Sequence, residues 1–207
     1  MSANVWFEEV NTGLINEIHK CVKVKDNKGV LVPLTYNPDT PEENAIIVRK
    51  PEEDFKIEVF PCVSIYNTSY EHDPIRYDPV PVKLGYSLDK KNIEMEETAV
   101  PYNLFYQIDF WSRYQTDMDC MTRTWLVKHF RQFNLAVTDD GGVVRSCNCL
   151  CVGQIKKSDL VLNKERLFHS IVNLEIWVEL DDEARYNMPV VISHDVSTKQ
   201  KGVQEDD

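Results

Sequence analysis

Leu104-Phe105-Tyr106-Gln107-Ile108-Asp109-Phe110-Trp111-Ser112 opens the stretch on which the fold turns, Pro101 to Phe133. Alternate positions along a strand face opposite ways. Leu104, Tyr106, Ile108 and Phe110 therefore form one face, expected in the core. Phe105, Gln107, Asp109 and Trp111 form the other, expected to be only partly covered. The period then lengthens. Met118, Met121, Trp125 and Phe133, with Leu126 and Phe130 beside them, recur at helical spacing. Thr116 and Asp119 make a helix-start signal, and Asp117 adds a carboxylate at the positive end of the helix dipole. The stretch predicts a buried strand running into an amphipathic helix of about four turns.

Around this unit the chain reads in order as helix, strand pair, helix, strand pair. Residues 4 to 24 carry the stripe Leu14, Ile15, Ile18 and Val22, ending at the turn signal Asp26-Asn27-Lys28-Gly29. Val30 to Tyr36, broken by Pro33, reads as an edge strand or projecting arm with Ala45 to Arg49 as its returning partner. Lys56 to Asn67 reads as a strand with a bulge at Phe60-Pro61-Cys62, and Asn67 to Leu84 as a long loop. After Phe133 come a short strand at Leu135-Ala136-Val137, a turn at Asp139-Asp140-Gly141-Gly142, and a strand from Val143 to Val152. Lys156 to Asn163 reads as a connection. The alternation from Ser170 to Asp181 is the clearest in the chain. The expected architecture is α+β: a mainly antiparallel sheet with two helices packed on one face and a projecting hairpin arm. Residues 1–182 form the domain, with the arm at 26–56 and the loop at 67–84 inserted, and 183–207 form a polar C-terminal tail.

The 207 residues carry a formal net charge of −11, which opposes a broad basic surface for binding nucleic acid. No stretch approaches ~18 uninterrupted apolar residues, so no membrane helix is expected. The start, Met1-Ser2-Ala3-Asn4-Val5-Trp6, lacks the basic and apolar runs of a secretory leader, and a reducing cytoplasm is the expected setting. Cys147, Cys149 and Cys151 alternate on one strand face, a poor geometry for bridging one another, and read as small buried thiols.

No catalytic constellation emerges. The five histidines make no metal-ligand spacing, and His129 reads as a packing histidine between Trp125 and Phe133. Asp117 and Asp119 belong to a helix start, and Asp139 and Asp140 to a turn. Glycine loops and a nucleophile elbow are missing. No catalytic, cofactor or metal site is expected. Trp111 and Trp177, large aromatics on the polar face of neighbouring strands, point instead to a subunit contact. Arg166, just before the last strand, is a second interface candidate.

Four segments carry a resemblance: Phe60-Pro61-Cys62-Val63-Ser64-Ile65-Tyr66, Asp73-Pro74-Ile75-Arg76-Tyr77, Phe105-Tyr106-Gln107-Ile108-Asp109-Phe110-Trp111 and Arg166-Leu167-Phe168. With the helix–strand–strand–helix–strand–strand order, the chain resembles the tail terminator, or tail-completion, proteins of tailed bacteriophages over about residues 4 to 181. The resemblance implies a structural virion protein of the tail and neck, assembled in the host cytoplasm. It implies a homo-oligomeric ring, usually a hexamer, that caps the tail tube and joins it to the head-side connector or stopper protein. Contact with the tail sheath protein is implied for contractile tails. DNA would pass through the channel without specific binding, and no membrane or cofactor is involved. Trp111, Trp177, Arg166, Tyr77 and Arg76 are the expected interface residues. Two other readings stay open: another neck protein, such as a head-completion or stopper ring, and a small cytosolic enzyme.

Overall fold

The computed structural model describes residues 4–26, 28–37, 44–49, 59–77, 82–86, 92–96, 99–138, 142–162, 165–180 and 185–189. Its elements in chain order are α1 (Asn4–Cys21), β1 (Lys23–Lys25), β2 (Leu31–Pro33), β3 (Thr35–Tyr36), β4 (Ala45–Val48), β5 (Cys62–His72), β6 (Val82–Tyr86), β7 (Asn92–Glu96), β8 (Val100–Ser112), α2 (Gln115–Lys128), β9 (Gln132–Thr138), β10 (Val144–Leu162), β11 (Glu165–Leu180) and β12 (Arg185–Pro189). They fall into two units. One comprises Met1–Tyr77 and Val100–Leu180; the other comprises Asp78–Ala99 and Asp181–Asp207. Within the second unit β12, β7 and β6 pair antiparallel in that order.

The larger unit is built on a seven-stranded sheet ordered β3-β4-β5-β8-β11-β10-β9. Strand β8 lies near its middle, paired antiparallel with β5 on one side and β11 on the other. Leu104, Tyr106, Ile108 and Phe110 are buried as the alternation requires, and so are Val172, Leu174, Ile176 and Val178 of β11. Against this face lie Val10, Leu14 and Ile18 of α1 and Met118, Met121 and Trp125 of α2, in one continuous core. Burying such a side chain contributes roughly 1.5–3 kcal/mol, so this face dominates the stability of the unit. Cys147 and Cys149 face the same core, Cys151 is half-buried at its margin, and all six cysteines are free thiols.

Helix α1 approaches β9 closely at Gly13. A Cβ there would stand 2.9 Å from the Ala136 carbonyl oxygen, so the glycine is required by the contact.

Several boundaries differ from the sequence expectations, each for a local reason. Helix α1 stops at Cys21, and Lys23–Lys25 pairs with Leu31–Pro33 around a turn in which Asp26 Oδ1 accepts from the Lys28 and Val30 amides. Ala45–Val48 is therefore no hairpin partner of the 31–33 segment. It pairs parallel with both β3 and β5. Strand β5 begins at Cys62, just past Pro61, and runs to His72; its irregularity falls between Asn67 and Ser69 rather than at Phe60-Pro61-Cys62. Positions 56–58 lie outside the described residues.

The helix of the central stretch ends at Lys128, and its N-cap is Tyr114 with no side-chain cap, so Thr116 sits inside the helix. Phe133 belongs to β9, from where its ring meets Trp125 edge-on at 5.7 Å. Lys156 to Leu162 is no connection, because β10 continues through it and pairs with the start of β11. The simple six-element order is thus elaborated by extra strands, while the α+β character holds. No helix of the described residues is long and apolar enough to cross a membrane.

Candidate assembly surface

The five residues singled out by sequence fall into two groups at opposite ends of β8 and β11. Trp111 stands opposite His169 and Trp177 opposite Asn103, eight positions apart along β11. At ~3.3 Å per residue this is roughly 26 Å, so the tryptophans do not form one patch.

At the Trp177 end, residues 73 to 77 fold into a turn locked by polar contacts. Asp73 Oδ1 accepts from the Ile75 amide at 3.0 Å and the Arg76 amide at 3.3 Å. The Asp73 amide in turn donates to the Pro101 carbonyl at 3.0 Å. Arg76 donates from Nε to Asp73 Oδ2 at 2.7 Å, and its second nitrogen donates to Asn103 Oδ1 at 2.7 Å and to the Tyr102 carbonyl at 3.2 Å. These contacts hold the guanidinium 5.4 Å from the centre of the half-buried Trp177 ring. Trp177 Nε1 donates to Glu175 Oε1 at 2.8 Å. The hydrogen bond from Arg76 holds the Asp73 carboxyl below its ordinary range, helped by the two turn amides.

The turn presents Ile75 at 94% exposure, with Tyr77 exposed two residues on and Tyr70 exposed on the preceding strand β5. On the helix-bearing face His72 meets both Tyr77 and Tyr102 edge-on, and Tyr70 stands between Tyr102 and Phe7. An apolar tip on polar-locked backbone, flanked by aromatic rings, is suited to burial against another surface.

At the other end the expectation of a half-exposed Trp111 is corrected. It is 8% exposed, stacked on His169 at 3.7 Å and packed with Ala45, Cys62, Ile47 and Phe60. Beside it lies Asp109, 1% exposed and also expected to be only partly covered. Three donors surround its carboxylate: Gln107 Nε2 at 2.8 Å, Arg49 at 3.1 Å and His169 Nε2 at 3.1 Å. A carboxylate so enclosed is compensated for its loss of water, and serves as a structural anchor under the sheet face. Arg166 is exposed, its guanidinium 5.0 Å from the Phe168 ring centre.

A third cluster joins the two helices. Glu17 and Cys21 are one turn apart on α1, and His129 closes α2. Cys21 Sγ donates to Glu17 Oε1 at 2.9 Å, and His129 Nε2 lies 2.9 Å from the same oxygen. Burial pushes the Cys21 thiol up to about 11, with the Glu17 hydrogen bond adding to the shift. Burial also pulls Glu17 upward, but hydrogen bonds from Cys21 and His129 together with the Lys20 charge outweigh it, leaving the carboxyl below its usual value. His129 is buried, as a packing histidine would be, stacked on Trp125 at 4.1 Å with Phe133 edge-on at 4.2 Å. Sequence reading missed this grouping. Glu17 and Cys21 share a helix face by spacing alone, but nothing local brings in a residue 112 positions away.

No protein-family profile and no curated protein matches the chain. Among solved structures it is similar to the sheath/tube terminator of an extracellular contractile injection system, PVC, determined by cryo-EM in the extended state. The identity is 15% and the TM-score 0.45. The match covers 96% of this chain and spans 65% of the length of that one.

Proposed function

We propose that this chain is a structural assembly protein that closes into a ring at the end of a tail tube and there receives the head-side connector. The observation that carries the reading is that the four segments on which the resemblance rests all form or adjoin the central strand β8. Three lie on the adjacent strands β5, β8 and β11: Val63 opposite Phe110, and Phe168 opposite Ser112. The fourth, Asp73 to Tyr77, is bonded to Pro101, Tyr102 and Asn103 of β8. Segments distant in sequence are thus tied to one strand, β8, two of them at its Trp111 end and the 73–77 turn at the opposite end.

In this reading Ile75, Tyr77, Arg76 and Trp177 form one subunit contact and Arg166 lies at another, while Trp111 supports the sheet from beneath. The edge strand β9, the inserted segment 26–56 and the C-terminal tail 183–207 supply further contacts to neighbouring subunits, to the tube and, in a contractile tail, to the sheath. The ring is a hexamer, and its channel conducts DNA without gripping it. A net charge of −11 suits a wall that repels a polyanion. The role is architectural, with no catalytic step.

The test is the mass of the purified protein alone and mixed with tail tubes, read with negative-stain images of tube ends. A six-fold ring seated on tube ends supports the proposal. A ring that ignores tubes and binds a portal-side partner moves the assignment to a neck connector. A monomer that binds neither refutes both.

A further inference from the structure

The geometry points to a transition-metal site of the zinc class formed by Glu17, Cys21 and His129, clamping the C-terminal ends of α1 and α2 together. One ligand atom from each residue, a carboxylate oxygen, a thiol sulfur and an imidazole nitrogen, lies within 4.8 Å of the other two. Nitrogen and sulfur donors with a single carboxylate favour Zn²⁺, whereas Mg²⁺ and Ca²⁺ require oxygen-rich sets.

The imidazole gives a second argument. His129 Nδ1 lies 3.2 Å from the Trp125 carbonyl and Nε2 lies 2.9 Å from Glu17 Oε1. Both partners are acceptors when Glu17 is ionised, yet a neutral imidazole has only one N–H. The Trp125 carbonyl already accepts from the His129 amide at 2.9 Å, and a neutral ring donating from Nε2 to Glu17 leaves a bare Nδ1 facing that oxygen at 3.2 Å. A cation at Nε2 removes the conflict and leaves Nδ1–H donating to the carbonyl, the outer contact that orients metal-bound histidines.

The third argument is the placement of the ligands. Cys21 is the last residue of α1, and His129 caps the C-terminus of α2. Two helix C-termini direct the negative ends of their dipoles towards the cluster, which favours a cation. The imidazole is already fixed by Trp125 and Phe133, and Cys151 Sγ donates to its backbone carbonyl at 3.0 Å. Around tetrahedral zinc, nitrogen and oxygen ligands stand roughly 3.3 Å apart. The contacts of 2.9 Å to Glu17 Oε1 would therefore open by about half an ångström. The Glu17 side chain can supply that movement, and at 20% exposure it gives water a route to the fourth position.

The probes are Zn²⁺ and Co²⁺ alone, added to the full chain prepared with chelator and reductant. One equivalent of Co²⁺ is expected to produce a thiolate-to-cobalt charge-transfer band with tetrahedral d–d intensity, displaced by Zn²⁺, and Zn²⁺ is expected to raise Tm. Cys21→Ser should abolish the charge-transfer band while leaving far-ultraviolet circular dichroism unchanged. Glu17→Gln, which keeps hydrogen-bonding capacity, should weaken affinity at least about tenfold, and Cys120→Ser, outside the cluster, should bind as wild type. Failure of wild type to give the band, or a band that survives in Cys21→Ser, overturns the site. If Cys21→Ser does not fold, the Glu17→Gln comparison decides: affinity equal to wild type overturns it.

Discussion

Replacing Arg49 with Ala removes one of three donors from a carboxylate that water cannot reach. Asp109 is 1% exposed, whereas the Arg49 side chain retains 26% of its exposure, so the pair is asymmetric. Two unit charges about 4 Å apart attract by ~4 kcal/mol at an effective dielectric of 20, and breaking a fully buried pair costs about 3–5 kcal/mol. Gln107 and His169 still hold the carboxylate after the substitution, and the partly exposed arginine was never fully desolvated. These two facts reduce the expected loss to about 2 kcal/mol, or roughly 4–8 °C in Tm for a domain of this size. Asp109→Asn should cost less, because the guanidinium it abandons can turn to water over the Tyr66 ring, whose centre is 5.1 Å away. The double substitution should then be less destabilising than the sum of the singles by about 1 kcal/mol. Urea unfolding with a common m-value measures all three. Loss below about 0.5 kcal/mol for Arg49→Ala, or strict additivity in the cycle, would falsify the view that the pair is coupled.

Three other outcomes follow from the packing and the thiols. In Gly13→Ala the added methyl meets the Ala136 carbonyl at 2.9 Å, and the backbone of β9 can yield little. Overpacking of ~1–3 kcal/mol should exceed the ~1 kcal/mol gain in helix propensity, so chemical denaturation should show net destabilisation; a more stable variant would refute the close approach. Ile75→Asp changes a residue 94% exposed, so the stability of the monomer should move by no more than about 0.5 kcal/mol while the proposed ring no longer forms. Analytical ultracentrifugation that finds rings intact would remove the turn from the interface. Burial raises the Cys21 and Cys151 thiols to about 11 and Cys62 to about 12, so the folded state keeps protons that the unfolded chain releases. Stability is therefore full below the free thiol value of ~8.5 and falls as pH rises towards 11. A Tm that is flat or rising across that interval would contradict the burial.

The alternations of β8 and β11 were legible because burial on one face imposes period two over many residues, and the same reasoning placed Cys147 and Cys149 in the core. Pattern failed where a contact is made across elements. Phe133 sits at helical spacing from Trp125 and does touch it, but from β9, after the chain has left the helix at His129. Periodicity records that two residues meet and is silent on the path between them. Trp111 and Asp109 were misread for a related reason. Alternation assigned them correctly to the second sheet face, but what covers that face is brought by the parallel pairing of β4 with β5 and by His169, neither of which leaves a local signal. The Glu17–Cys21–His129 grouping is the extreme case, since only the crossing of two helices creates it.

The two ends of β8 solve different physical problems, and the difference bears on assembly. At Trp111 the sheet face is closed inside the chain: the indole is stacked on the His169 imidazole and the Asp109 carboxylate is held by three donors, so both are already buried before any partner arrives. At Trp177 the polar groups are spent on holding the backbone, with Asp73, Arg76 and Asn103 bonded to each other, while the apolar Ile75 is left outside. A loop ordered only on binding loses about 1–2 kcal/mol of conformational entropy per residue at that moment, which would weaken a contact of this size. Here the turn is fixed before any partner arrives, so burial of Ile75 and the flanking rings can be realised as affinity. That asymmetry is why substitution at the turn should separate assembly from stability, whereas substitution beneath Trp111 should change stability first.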